Sequence, residues 1–283
     1  MGTLYLCATP IGNLQEMNSR CIEVLKQVAL ICAEDTRHTL KLLNHFEIVA
    51  KKLISYHEHN KSKQHEYILQ YLRTGESVAL VSDAGYPGIS DPGEELVALA
   101  VAEGLNVVTV NGANAALTAL VASGIPTGTF YFAGFLPKTK KHRQQELVKL
   151  KELDTTLILY EAPHRLQEIL VDLLDGLGDR KIAVARELTK LHEEFFRGRI
   201  SQAITWLESK PPRGEFVLII ASAEFSGLEQ QVEEIDEQAL LASVPAMLDK
   251  LTAEGMDKKA AIAALAKKLN LPKKLVYKAT IME

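Results

Sequence analysis

The chain has 283 residues, a formal net charge of −4 and three cysteines. This length favours two domains, and 47% hydrophobic with 24% charged residues is an ordinary globular balance. The acidic balance excludes a globally basic nucleic-acid binder, so any RNA contact has to come from local patches. An odd cysteine count without pair spacing argues against a disulfide framework or a zinc site.

No apolar run approaches the roughly 20 residues of a membrane span. The first residues, MGTLYLCATP, lack the basic-then-apolar layout of a secretory signal. Free thiols fit a reducing compartment. We therefore predict a cytoplasmic location, no membrane contact and no bound metal.

Residues 1–112 alternate short apolar runs with amphipathic stretches. Strands are predicted at 3–8, 30–33, 53–56, 77–82 and 106–110, and helices near 18–29, 36–46, 60–73 and 93–103. Continuous apolar strands that alternate with helices are typical of a mostly parallel sheet covered by helices. We predict an N-terminal α/β domain here.

Residues 113–223 form a second predicted α/β domain. Strands are predicted at 129–133, 156–160, 181–186, 194–197 and 215–221, and helices at 139–153, 164–175 and 200–208. Several of these strands follow one another with short gaps, which favours a mixed sheet.

The end of the chain changes character twice. Residues 224–238 contain six acidic and no basic side chains, which predicts a solvated linker. Residues 239–283 are predicted to be a helical, basic extension with a break at Asn270-Leu271-Pro272 that resembles a helix-turn-helix. Two roles remain open for this extension: it binds RNA, or it is a structural helical cap.

Three loops rich in glycine and small polar residues follow predicted strands, at 9–14, 82–93 and 111–116. Ligands of open α/β sheets bind beyond the carboxyl ends of the strands, and glycines let the backbone approach them. None of the loops matches the GxGxxG or GxxxxGK[ST] pattern, so a nicotinamide or nucleoside triphosphate enzyme is not supported. In the second loop we expect Asp83 to contact a ligand and Asp91 to cap the helix at 93–103.

Charged groups crowd three further strand ends, at 33–39, 160–165 and 186–190. Their shared position after apolar strands favours a functional role, although each could also be a salt-bridged turn or a helix cap. A basic cluster around 138–143 follows an aromatic run and suits either an RNA backbone or a solvated helix start.

Seven motifs occur in order along the chain: ATPIGNL, AEDTRHT, LVSDAGYPGISDPG, FAGFLP, YEAPHR, RELTK and GEFVLI. Together they closely resemble the ribosomal RNA small subunit methyltransferase I family of the tetrapyrrole methylase-like superfamily. The resemblance implies two α/β domains of the tetrapyrrole methylase type that hold S-adenosylmethionine in the cleft between them, and a homodimer. It also implies 2′-O-methylation of a cytidine in 16S rRNA, near the decoding centre of the small ribosomal subunit.

The resemblance further implies which residues meet the cofactor: Pro10, Ile11, Gly12, Asp83, Ala84, Gly85, Gly112, Ala113, Asn114, Ala115 and Ala162. Where the family's third loop usually begins Pro-Gly-Pro, this chain has Asn111-Gly112-Ala113, so we expect a looser loop.

A general base would help to remove the proton of the acceptor hydroxyl. We hypothesise that Asp35, Glu161 or Glu187 takes this proton, and that Arg37, Arg165 and Lys190 orient phosphate and ribose. The predicted RNA contacts are Lys138, Lys140, Lys141, Arg143, Lys267, Lys268, Lys273 and Lys274.

Two other functions are compatible with parts of the sequence. One is methylation of a tetrapyrrole or another small molecule on the same scaffold. The other is a ligand-sensing helix-turn-helix regulator that binds DNA. Its recognition helix lacks Arg, Asn and Gln, the usual readers of base edges, so specific DNA recognition is a poor fit.

Overall fold

A computed structural model describes residues 1–208, 212–253, 256–269 and 271–280 of the chain, without the side chains of residues 227–240. The chain divides into two compact units, Met1–Ser222 and Ala223–Glu283. The larger unit contains two five-stranded sheets with their helices, and the smaller unit is helical. The predicted fold class is therefore confirmed. The predicted domain boundary at residues 112 and 113 falls between the two sheets.

The first sheet belongs to the N-terminal half of the larger unit. Its strands are β1 (Thr3–Cys7), β2 (Leu30–Ala33), β3 (Leu53–Ser55), β4 (Val78–Val81) and β5 (Asn106–Val110). The helices that connect them are α1 (Ser19–Gln27), α2 (Thr36–His45), α3 (Lys61–Arg73) and α4 (Glu94–Ala102). All strands are parallel in the order β3-β2-β4-β1-β5. Because β4 lies beside β1, the loops that follow these two strands are neighbours at one edge of the sheet.

Both faces of this sheet are covered, which explains why its strands read as continuous apolar runs. Ile31 and Ala33 of β2 pack with residues of α1 and α2, whereas Leu30 and Cys32 pack with residues of α3 and α4. Successive side chains of a strand point to opposite faces, so the two sets build separate cores.

The second sheet is mixed, as predicted. Its strands are β6 (Phe130–Phe135), β7 (Thr156–Glu161), β8 (Lys181–Arg186), β9 (Glu194–Arg199) and β10 (Phe216–Ile220), in the order β6-β7-β10-β8-β9. Only the β6–β7 pair is parallel. Helix α5 (Ala115–Ala122) precedes the sheet and contacts β7 and β10. Helices α6 (Lys140–Lys151), α7 (Leu166–Leu177) and α8 (Ile200–Glu208) share a core with residues of β7, β8 and β10.

The smaller unit consists of α9 (Ala223–Ala253), α10 (Lys258–Lys268) and α11 (Lys273–Ala279). Buried Val244, Leu248, Leu265 and Val276 form its core. The acidic segment 224–238, which we predicted to be a linker, has helical backbone as part of α9. Its five Glu and three Gln residues are good helix formers, so acidity alone was a poor guide to its conformation.

Among the described residues, no helix is both long and apolar enough to cross a membrane. The three cysteines, Cys7, Cys21 and Cys32, are free and buried. They contribute to the apolar cores on the two faces of the first sheet.

Candidate functional site

The loops after β1 and β4 are joined by backbone hydrogen bonds. The amide of Thr9 donates to the carbonyl of Gly85 at 2.9 Å, and the amide of Gly85 donates back to Thr9 at 3.0 Å. The Thr9 hydroxyl also donates to the carbonyl of Ser82 at 3.1 Å. Gly85 has φ +80, a conformation that glycine adopts without strain. The two loops therefore form one stiff platform at the edge of the sheet.

The loop after β5 is fixed to this platform by Tyr86. The Tyr86 hydroxyl hydrogen-bonds the Asn111 side chain and accepts the amide of Gly112 at 3.1 Å. A side chain at Gly112 would lie 2.8 Å from Cβ of Ala8, so only glycine fits there. Asn111, which departs from the family pattern, thus supplies an attachment point, and the expected looseness of this loop is not what the structure shows.

A central cavity of about 300 Å³ lies where these loops meet the second sheet. Its lining contains the predicted cofactor residues Ile11, Ala84, Gly85, Asn114, Ala115 and Ala162. Its other lining residues are Tyr86, Ile89, Ser90, Asp91, Phe135, Tyr160, Glu161, Pro163, Glu215, Phe216 and Val217. The structure thus brings six predicted residues from both sheets to one cavity.

A second cavity of about 260 Å³ adjoins the central one and shares Ile11, Ala84 and Glu215 with it. It holds the predicted cofactor residues Pro10, Gly12 and Asp83 together with Lys190 and His38; we call it the Lys190 cavity. Gly112 and Ala113 are absent from the lining of both cavities. Gly112 instead packs closely against Ala8, in the loop that follows β1.

Asp35 and Arg37, two predicted catalytic residues, bind each other. The Asp35 carboxylate caps α2 by accepting the amide of Arg37 at 2.8 Å, and it forms an ion pair with the Arg37 guanidinium at 2.7 Å. Hydrogen bonds from Arg37 hold the pKa of Asp35 well below its usual range. A carboxylate with a lowered pKa is a weak proton acceptor.

Glu187 and Lys190, two further predicted catalytic residues, form an ion pair. The Lys190 ammonium lies 2.9 Å from Glu187 and 3.0 Å from Glu215. Glu187 additionally accepts the amide of Glu215 at 3.0 Å. Burial alone would raise the pKa of Glu187, but Lys190 and this amide outweigh it and lower the pKa. Lys190 remains a cation at the wall of the cavity, whereas Glu187 is committed to holding it.

Glu161 and Arg165 fix the loop after β7. The Glu161 side chain is 1% exposed, its Oε1 accepts the amide of Ala162 at 2.8 Å, and Arg165 Nε lies 3.5 Å away. Arg165 also donates to the carbonyls of Leu136 and Pro137, at 2.9 and 3.3 Å. Burial raises the pKa of Glu161 despite these neighbours. Its Oε2 is sealed from solvent and has no hydrogen-bond partner among the described residues.

The predicted RNA contact of Arg143 is wrong, because this side chain is buried. Its side chain is 1% exposed, lies 2.5 Å from Asp172, and pairs with Glu168 as well. It also donates to the carbonyl of Lys138 at 3.1 Å. Because α6 turns this side chain inward against α7, Arg143 is a structural residue. Lys138, Lys140 and Lys141 are exposed and remain predicted RNA contacts.

Asp91 has a different role from the helix cap that its sequence position predicted. Helix α4 begins after Gly93 without any side-chain cap, so Asp91 does not cap it. Asp91 instead lines the central cavity. Tyr160, Glu215, Phe216 and Val217 also line it. They lie in the YEAPHR and GEFVLI motifs but were not singled out, although the repeated placement of motifs at strand ends was an available signal.

The smaller unit carries a basic groove of its own. Lys258, Lys259, Lys273 and Lys274 line it together with Tyr277, over a volume of about 740 Å³. The predicted contacts Lys267 and Lys268 are exposed at the other end of α10. Among the described residues, no group of three or more His, Cys, Asp or Glu side chains is arranged to hold a metal ion.

Comparison with known proteins first defines the class. The sequence model of the family described as Tetrapyrrole (Corrin/Porphyrin) Methylases matches residues 3–204. The fold is similar to that of uroporphyrin-III C-methyl transferase from Thermus thermophilus complexed with S-adenyl homocysteine. The TM-score is 0.51 at 19% identity, over 78% of this chain and 97% of that one.

Two relatives then narrow the family. A protein of Halalkalibacterium halodurans named ribosomal RNA small subunit methyltransferase I is 49% identical over 276 residues, which are 98% of this chain and 93% of the relative. A protein of the same name from Bacillus subtilis is 47% identical over 279 residues, 99% of this chain and 94% of the relative. The chain belongs to the ribosomal RNA small subunit methyltransferase I family, within the tetrapyrrole methylases.

Proposed function

We propose that the chain transfers a methyl group from S-adenosylmethionine to a ribose 2′-hydroxyl of small-subunit ribosomal RNA, at a cytidine near the decoding centre. The observation that carries this proposal is the central cavity, which collects six of the residues expected to meet the cofactor. The names of the relatives support the RNA substrate and favour it over a DNA site.

The residues around the cavity fit the proposed cofactor. Backbone loops of the first sheet supply amides and carbonyls, and Ile11, Phe135 and Val217 supply apolar walls. Sites for small ligands are usually concave and mostly apolar with a few polar groups, as here. When bound, the sulfonium compound would supply an activated methyl group. The S-adenyl homocysteine bound by the Thermus thermophilus enzyme, the demethylated form of the same compound, supports the same choice.

The protein's own contribution is position and charge. Holding the acceptor oxygen in line with the methyl carbon can supply about 7–11 kcal/mol of the barrier reduction. The Lys190 cavity joins the central one and presents a cation, with His38 beside it. We propose that Lys190 orients a phosphate of the RNA while the ribose enters the central cavity. Arg37, whose side chain is 89% exposed, is a second candidate for this contact.

We also propose that exposed lysines extend the RNA-binding surface. Lys138, Lys140 and Lys141 lie on α6 and in the loop before it, and the lysines of the smaller unit surround Tyr277. Lysines bind phosphates, and an exposed aromatic ring can stack on an unpaired base. Lys267 and Lys268 stay among the proposed contacts as a separate pair.

A homodimer in the cytoplasm is the proposed working state. Leu117 and Val121 of α5 are 47% and 74% exposed, and Phe130 and Tyr131 of the edge strand β6 are exposed as well. Exposed apolar side chains of this size are often covered by a partner subunit. The three free thiols suit a reducing compartment.

The test is ribose methylation on defined substrates. Purified protein and labelled S-adenosylmethionine are incubated with small ribosomal subunits from cells that lack this protein, with a porphyrinoid, and with duplex DNA. We expect label at a single cytidine ribose of the subunit RNA. Label on the porphyrinoid alone would favour the small-molecule methylase, and no label on the RNA would overturn the proposal.

A further inference from the structure

Asp91 lines the central cavity, and its carboxyl is unpaired among the described residues. Asp91 lies in the loop between β4 and α4, and no hydrogen bond or ion pair reaches its carboxyl among the described residues. The preceding residue, Ser90, has φ +64, a conformation that non-glycine residues rarely adopt. Such strain is often found where a loop holds a side chain in a functional position.

The other carboxyls near the cavity are paired, buried or hydrogen-bonded. Glu215 pairs with Lys190, and Glu161 is sealed beneath its own loop. Asp83 accepts the amide of Asp35 at 3.2 Å. A group that takes a proton from a substrate needs an accessible oxygen within hydrogen-bond reach of it. Asp91 lines the cavity and can accept such a proton without breaking an existing contact.

The surroundings of Asp91 also suit proton uptake near neutral pH. Burial, with the negative charges of Glu34 and Asp83, raises the pKa of Asp91 to about 7. Across the central cavity it faces Tyr160 of β7, whose pKa is raised by burial and by the charge of Asp91. A base works best when its pKa lies near the working pH.

Asp91 also has an exit for the proton. Ser90 and Asp91 line a further cavity of about 530 Å³, which we call the acidic cavity. Its other titratable groups are Glu34, His57, Glu58, His59 and Glu94, and Glu58, His59 and Glu94 are exposed to solvent. Because Asp91 lines both cavities, a proton that it accepts in the central cavity can pass to water in the acidic cavity.

We propose that Asp91 is the general base of the methyl transfer. The carboxylate takes the proton from the acceptor hydroxyl as the oxygen–carbon bond forms and the carbon–sulfur bond breaks. The sulfur keeps the electron pair of the broken bond and becomes a neutral thioether. Asp91 becomes a neutral carboxylic acid and then releases its proton to water through the acidic cavity. This role rests on the proposed function.

The test is a single-turnover measurement on the full-length chain with Asp91→Asn, at saturating labelled S-adenosylmethionine and with small ribosomal subunits as acceptor. We expect the rate at pH 8 to fall by about 10²–10⁴-fold, while the affinity for the cofactor changes by less than about threefold. The wild-type rate should rise with pH and level off above about pH 7, and the variant should lose this inflection. Glu76→Gln removes the same charge from an exposed position before β4 and should keep both rate and inflection.

The outcomes separate the two proposals. A variant rate within about threefold of wild type, or a slower rate that keeps the wild-type inflection, would overturn the role of Asp91 and leave the methyltransferase standing. No transfer by the wild-type protein to the subunit RNA would overturn the proposed function, and the role of Asp91 with it.

Discussion

The two sheets of the larger unit contribute to the site in different ways. The first sheet supplies loops whose backbones bind each other, at Thr9, Gly85 and Gly112, and leaves Asp91 without a partner among the described residues. The second sheet supplies charged side chains that pair among themselves, such as Glu187 with Lys190 and Arg143 with Asp172. The difference teaches that charge density in a motif is a poor sign of chemistry. A carboxylate that is already paired is a poor candidate for taking a proton, whereas Asp91 has no such pairing among the described residues.

The largest effect on stability should come from breaking the buried pair in the second half. Arg143→Ala leaves Asp172 buried without its partner, and removal of one member of a buried pair costs about 3–5 kcal/mol. Urea denaturation should show this decrease in the free energy of unfolding. Lys141→Ala, on the same helix but exposed, should change stability by less than about 0.5 kcal/mol. Similar stabilities of the two variants would contradict the structural assignment of Arg143.

Crowding the backbone platform of the first half should have the next largest effect. Gly112→Ala places Cβ 2.8 Å from Cβ of Ala8 and 3.1 Å from its carbonyl oxygen. Overpacking of this kind costs about 1–3 kcal/mol, and we expect the displaced loop to weaken cofactor binding as well. Gly128→Ala is the matched control, since nothing lies within 4 Å of the added carbon. Calorimetric titration and thermal melting on both variants would show whether the packing of Gly112 on Ala8 matters.

The Asp91 carboxylate should lower the free energy of unfolding at high pH. In the folded chain the pKa of Asp91 is about 7, above the value near 4 of an ordinary aspartate. The folded state therefore loses stability as pH rises from about 4 to about 7, and Asp91→Asn removes this loss. We expect the variant to be more stable by about 1–2 kcal/mol at pH 8, a value lowered for partial solvent exposure, with the difference shrinking toward pH 4. Equal stability of both proteins at pH 8 would argue against a raised pKa of Asp91 in the folded chain.

The smallest effect is expected from lysine substitutions in the basic groove of the smaller unit, on the salt dependence of RNA binding. Lys273→Ala with Lys274→Ala should reduce the slope of log affinity for subunit RNA against log salt by about 0.7–0.9 for each phosphate that the variant no longer binds. Lys26→Ala with Lys63→Ala, both exposed on helices of the first sheet, should leave the slope unchanged. An unchanged slope in the groove variant would make the smaller unit a structural addition.

The sequence predicted the fold well because its signals were strong. Short apolar runs located all ten strands, and short gaps after residue 180 indicated the mixed sheet. The three glycine-rich loops were singled out because binding residues are found disproportionately on loops that a rigid scaffold positions, and their contact with the cofactor stays a prediction. Acidic composition misled the interpretation of residues 224–238, because helix propensity and charge are separate properties.

The roles of individual charged residues were harder to predict. Arg143 and Lys141 are two positions apart, yet only the position of α7 determines that one is buried and the other exposed. Asp35 and Asp91 both precede helices, but only Asp35 occupies the N-cap position, because Gly93 occupies it in α4. Sequence spacing gives the position of a residue along a helix. It does not give the side chain's interaction partner, because that partner belongs to a segment distant in the sequence that packs against the helix.

The central claim is that the cavity shared by the two sheets binds S-adenosylmethionine. Calorimetric titration of the cofactor and of its demethylated product into the folded chain, and into an Ala162→Leu variant that fills the cavity, tests it most directly. The account predicts one site per chain for both compounds and a decrease of at least about tenfold in affinity in the variant, since the added side chain occupies ligand space. Absence of binding by the folded wild-type chain, or equal binding by the variant, would contradict it.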